Sequence, residues 1–134
     1  MPIRCSVLEP ERVVELVYTG TVSPEELQDM LRAAVETGKR ASILRFLADL
    51  TGMSGGHSAG DLFAVVQAME RMGVPRTMRE AIVPRPGSIG GADARFFEDA
   101  CRNRGFDVRI FPDRPTAIAW LVGGESRHLL PEEV

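Results

Sequence analysis

Apolar runs of two different periods alternate along this chain, and that alternation restricts the fold more than any single motif does. Short runs with strand character at 3–8, 13–18, 42–50, 79–83 and 106–111 are separated by segments whose apolar residues recur three and four positions apart. A strand, a helix and a further strand of the same sheet call for parallel pairing through a right-handed crossover, with helices covering both faces. The first two runs are joined only by Glu9-Pro10-Glu11-Arg12. That connection is too short for a crossover, so they form an antiparallel hairpin. The expected order is β-β-α-β-α-β-α-β-α. This is a single layered α/β domain with a mixed β-sheet of about five strands, an N-terminal β-hairpin and about four helices. A chain of 134 residues suits one such domain with a real core. The domain is expected over 1–122, with 123–134 as a polar C-terminal tail.

The helix boundaries are written locally. Ser23-Pro24-Glu25-Glu26 is a capping box with proline at the first helical position. Leu27, Met30, Leu31, Ala34 and Val35 then share a face, and Gly38 suits the stop. The next helix carries Leu62, Phe63, Val65, Val66, Met69 and Met72 before Gly73 and Pro75. A second glycine-rich loop, Pro86-Gly87-Ser88-Ile89-Gly90-Gly91, leads to Phe96, Phe97, Ala100 and Cys101. Asp113-Arg114-Pro115 opens a final helix through Ala117, Trp120 and Leu121. The run at 42–50 is mostly apolar, with charges at Arg45 and Asp49, as expected of a strand covered on both sides.

Charge and cysteine usage remove several classes of function. A net charge of −3 argues against nucleic acid as the main partner, despite Arg76, Arg79 and Arg85 lying close in sequence. Cys5 and Cys101 are far apart and form no C-x-x-C pair, so reduced thiols and a cytoplasmic setting are expected. The start has no apolar run of signal-peptide length. No stretch approaches the roughly 20 apolar residues of a membrane span. No metal-ligand set or cofactor motif is present, so neither a metal nor a cofactor is expected.

The stretch at 49–62, DLTGMSGGHSAGDL, holds the candidate chemistry. Gly52-Met53-Ser54-Gly55-Gly56 fits the G-x-S-x-G pattern of a hydrolase elbow. An elbow needs a helix directly behind the serine, and here Gly55 to Ser58 intervene; the one later histidine is His128, in the expected tail. A phosphate cradle fits a strand-to-helix loop. The Walker lysine and G-x-G-x-x-G are absent, however, and Asp49 and Asp61 would repel an anion. The plainest reading is structural: Ser58 caps the helix, Asp61 favours its positive end, and His57 is a solvated loop residue. Yet long loops at the C-terminal ends of strands often carry function. Thr51, Ser54, His57, Ser58 and Asp61 are therefore the candidate interaction surface.

The order of elements, Asp49-Leu50-Thr51-Gly52 at a strand end, Ser58-Ala59-Gly60 at a helix start, and VRIFPDRPTAIAWL over 108–121 together resemble the STAS domain. Within that family they look like the SpoIIAA-like branch of small bacterial proteins related to anti-anti-sigma factors. In the anti-anti-sigma proteins the helix start reads Asp-Ser-Ser-Gly, and a partner kinase phosphorylates the second serine to block binding. Here that position is Ala59, which has no hydroxyl, and Ser58 matches the serine that is not the acceptor. The resemblance implies a non-enzymatic interaction or regulatory domain without the usual switch. Its partner would be an unidentified protein or a second copy of the chain. The branch is also similar in architecture to Sec14-type lipid carriers, which implies a small apolar ligand. Met53, Phe63, Met69, Phe96 and Phe97 are the candidate pocket, with Met72 and Met78 nearby; as core residues they would need no ligand. A hydrolase using Ser54 is the remaining alternative.

Overall fold

The hairpin consists of β1 (Ile3–Leu8) and β2 (Val13–Thr21), with Leu8 opposite Val13 and Ile3 opposite Tyr18. From β2 the sheet grows in one direction only. β3 (Arg45–Ser54) pairs with β2, β4 (Arg79–Val83) with β3, and β5 (Asp107–Ile110) with β4, all in parallel. The helices are α1 (Pro24–Ala41), α2 (Ala59–Arg71), α3 (Ala92–Asn103) and α4 (Arg114–His128). This computed structural model describes residues 2–87 and 91–128, with side chains through Gly123. The Ser88-Ile89-Gly90 part of the second glycine-rich loop, and 129–134 of the expected tail, lie outside the described residues. Among the described residues no helix is long and apolar enough to cross a membrane.

Topology decides which face each helix covers. Right-handed crossovers that all step the same way along a sheet deliver their helices to the same side. Accordingly, Met30 and Ala34 of α1, Val65, Val66 and Met69 of α2, and Ala100 and Cys101 of α3 all pack on Val14, Leu16, Phe46, Ile82 and Val108. α4 follows the last strand and connects to no other, so it is free to return to the opposite face. There Ala117, Trp120 and Leu121 cover Val13, Leu47, Ala81 and Val83.

Three local expectations change. The capping box forms, with the Ser23 hydroxyl accepting from the Glu26 amide at 3.1 Å and the Glu26 carboxylate from the Ser23 amide at 2.8 Å. But α1 does not stop at Gly38. It runs to Ala41 and ends where Ser42 turns left-handed, at φ 58, sending its N–H back to the Gly38 and Lys39 carbonyls. Gly38 is small for a packing reason. A β-carbon there would lie 2.8 Å from the Ile43 carbonyl oxygen and 3.0 Å from the Phe46 ring. β3, in turn, starts later than expected and continues through Gly52-Met53-Ser54, because β2 is long enough to pair with it through Gly20–Met53 and Thr21–Ser54. Finally, α4 continues past residue 122 to His128.

A polar clamp fixes α4. Glu15 and Asp49 are 9% and 8% exposed on the face that α4 covers. Arg114 places one guanidinium nitrogen 2.8 Å from Asp49 Oδ2 and the other 2.8 Å from Glu15 Oε2. The Thr51 amide and hydroxyl donate to Asp49 Oδ1 at 2.9 and 2.7 Å. Burial opposes ionisation of Asp49, but the Thr51 and Arg114 hydrogen bonds outweigh it and hold the carboxyl below its usual range. Removing the cation strands two nearly buried carboxylates. Arg114→Met should therefore lower stability by about 3 kcal/mol in urea denaturation at neutral pH. Arg114→Lys should recover only part of the loss, because an ammonium lacks the planar fork that spans two carboxylates.

Candidate functional site

The loop between β3 and α2 is held from both sides. At its far end the Ser58 hydroxyl accepts from the Asp61 amide at 3.1 Å and caps α2. In its middle, Asp93 from the first turn of α3 reaches across, and its Oδ2 accepts the His57 amide at 2.9 Å. Gly56 permits this approach, because a β-carbon there would collide with the Asp93 carboxylate. The His57 ring turns the other way, with Nε2 2.7 Å from the Val22 carbonyl oxygen. A carbonyl only accepts, so Nε2 carries the proton. His57 is thus half-buried and hydrogen-bonded on both its backbone and its ring, not a solvated loop residue. The loop is an element tied to the segments that lead into α1 and α3.

The five candidate surface residues divide. Ser54 and Ser58 are exposed around the start of α2, Asp61 is half-buried in its first turn, and His57 braces the loop behind them. Thr51 does not join them. Its hydroxyl is committed to Asp49, on the side of the sheet that carries α4. Ser54 is the last residue of β3, and α2 begins at Ala59, so the strand-to-helix turn is longer than an elbow allows. Among the described residues no imidazole bonds to Ser54: the His57 ring is on Val22, and the side chain of His128 lies outside the described residues.

Beneath this loop lies a cavity of about 130 Å³, between the sheet and α1, α2 and α3. Of the five candidate pocket residues, Met53, Met69 and Phe97 line it, and so does Met78. Phe63 and Phe96 do not line it. Phe63 lies under the Arg104 guanidinium, 4.6 Å from its ring centre, and Phe96 packs against the main core. The cavity's polar groups are Tyr18, His57, Glu80 and Asp93, and no lysine or arginine lines it.

Glu80 is the residue that sequence reasoning missed. It sits on β4 between Phe46 of β3 and Val108 of β5, two positions from Ile82, and so faces the helices. Among the described residues no donor and no cation meets its carboxyl, and burial alone pushes its pKa up to about 7. The Tyr18 hydroxyl is raised as well, first by burial and then by the negative charge of Glu80 and of Cys5. The signal was present in the strand Arg-Glu-Ala-Ile-Val: a strand covered on both faces has no solvent side for a glutamate.

This carboxyl makes stability depend on pH. The folded state holds the proton up to about pH 7, whereas an unfolded chain releases it near 4.5. Below the lower value both states are protonated and there is no penalty. Between the two values the unfolded chain sheds its proton first, so stability falls as pH rises. The total fall is about 3 kcal/mol and levels off above the folded pKa. Glu80→Gln should remove it. Urea titrations from pH 5 to 8 should show the variant gaining on the wild type up to about pH 7 and little beyond it.

Comparison with known proteins places this geometry. No protein-family model and no curated protein matches the sequence. Solved structures do match in fold, and two of them show the likeness. One is an uncharacterised DUF3478-family protein with a SpoIIAA-like fold from Shewanella loihica PV-4, with a TM-score of 0.57 and 19% identity, covering 89% of this chain and 91% of that one. The other is the anti-sigma factor antagonist SpoIIAA in its unphosphorylated form, with a TM-score of 0.58 and 10% identity, covering 87% and 93%.

Proposed function

We propose, from the SpoIIAA-like STAS fold that this chain has, that it is a non-enzymatic interaction domain that docks a protein partner at the start of α2. The observation that carries this reading is the shared fold with an anti-sigma factor antagonist. The braced loop and the exposed Ser54, Ser58 and Ala59 beside it support the choice of surface. A surface fixed before contact loses less entropy on docking than a floppy one. Ala59 stands where the related regulators carry their phospho-acceptor. Docking here is therefore constitutive at that position and is regulated, if at all, elsewhere.

Capture experiments from the source cell test this. Ala59→Glu puts a negative charge where a phosphate would sit, at a helix position that tolerates acids. Asp61→Arg reverses the local charge. Both should lose at least one protein that the wild type retains, while Gln67→Glu, on an exposed part of the same helix, should keep it. Identical partners for all four proteins would remove the surface from consideration. A second copy of the chain is the other candidate occupant, and light scattering distinguishes self-association from capture of a different protein.

The cavity favours a second reading, in which the domain holds a small ligand between its sheet and helices. About 130 Å³ is close to the size of an engineered cavity (about 150 Å³) that takes up benzene.

A further inference from the structure

We infer that the cavity is a binding site for a small hydrophobic amine, with the Glu80 carboxylate as counter-ion and the Tyr18 hydroxyl as a second acceptor for the ammonium. This rests on the small-ligand reading and names its chemistry. Three observations lead to it. First, Glu80 has no donor and no cation among the described residues, although it is half-buried in the cavity wall. Buried carboxyls are normally paired, and one left alone in a folded domain calls for a specific explanation. Second, the wall is aliphatic and aromatic: Leu16, Leu31, Val65, Met69 and Phe97 surround the space. It suits a ring-sized apolar body and little else. Third, the charged groups of the lining are all of one sign. Glu80 lies within and Asp93 at the loop, with no lysine or arginine to accept an anion. Such a chamber repels carboxylates, fatty acids included, and concentrates cations.

The geometry assigns a role to each end of the ligand. An ammonium has three donors. One can meet the Glu80 carboxylate, and a second the hydroxyl oxygen of Tyr18, which is hydrogen-bonded to nothing among the described residues. The carboxyl's raised pKa fits the same picture, since a cation beside it restores the charged form that burial resists. Entry would lie beneath the loop, where Met53, His57 and Asp93 line the space.

Three ring-sized probes separate the inference from the reading beneath it: benzylamine, benzyl alcohol and benzoate, titrated calorimetrically into the full chain at pH 7.5. Benzylamine should bind at least about tenfold more tightly than benzyl alcohol, and benzoate should not bind. Glu80→Gln keeps the side-chain shape and should reduce benzylamine to the level of the alcohol, while alcohol binding stays unchanged. Ala94→Phe, which fills part of the lining from α3, should abolish both. Equal binding of amine and alcohol, or undiminished amine binding in Glu80→Gln, overturns the amine assignment and leaves the cavity reading standing. If none of the three probes binds the wild type, the cavity reading falls with it.

Discussion

The Asp93 carboxylate occupies the space that a side chain on Gly56 would need, and from there it accepts the His57 amide. Much of the arrangement at this end of the molecule follows from that contact. It ties the loop after β3 to the first turn of α3. The His57 ring carries the connection on to Val22, just before α1. Three strand-to-helix connections therefore meet at the C-terminal edge of the sheet, where open α/β folds place their ligands. The same clasp frames the exposed start of α2 and contributes two side chains to the cavity lining. Partner docking and ligand binding, if both operate, share one frame.

The sheet carries acids on both faces and treats them differently. On the α4 face, Glu15 and Asp49 converge on Arg114, and Thr51 supplies further donors. That arrangement is satisfied and structural: it anchors a helix that no crossover obliges to be there. On the other face Glu80 lines a cavity that also holds Tyr18, and no cation meets it among the described residues. A buried carboxyl with its cation is an anchor. One without it is a source of instability that a ligand could relieve.

Much of the architecture was legible in the residues. The hairpin could be read from a four-residue connection, the parallel strands from alternating periods, and α1 from its capping box. Ser58 at the cap of α2 was equally clear. Local signals misled where tertiary packing decided the outcome. Gly38 looked like a stop, but it is small so that Phe46 and the Ile43 carbonyl can approach, while Ser42 makes the turn. The stretch at 52–56 looked like a loop throughout, yet its first three residues are strand, because β2 runs far enough to pair with them. His57 looked solvated because its partners, Val22 and Asp93, lie 35 and 36 residues away. Phe63 and Phe96 have the right character for a pocket, but their helix positions turn them elsewhere. Glu80 was hidden for the opposite reason, one of two adjacent charges opening a short run that read simply as a strand.

The clasp is open to direct measurement by amide hydrogen exchange, residue by residue, on the free protein. A braced loop predicts that the His57 amide exchanges far more slowly than those of Gly55 and Gly56 beside it, and that Asp93→Ala abolishes this protection while the strands stay protected. Exchange of His57 at the rate of an unstructured chain in the wild type would mean that Asp93 does not hold the loop, and the frame proposed for both functions would be lost.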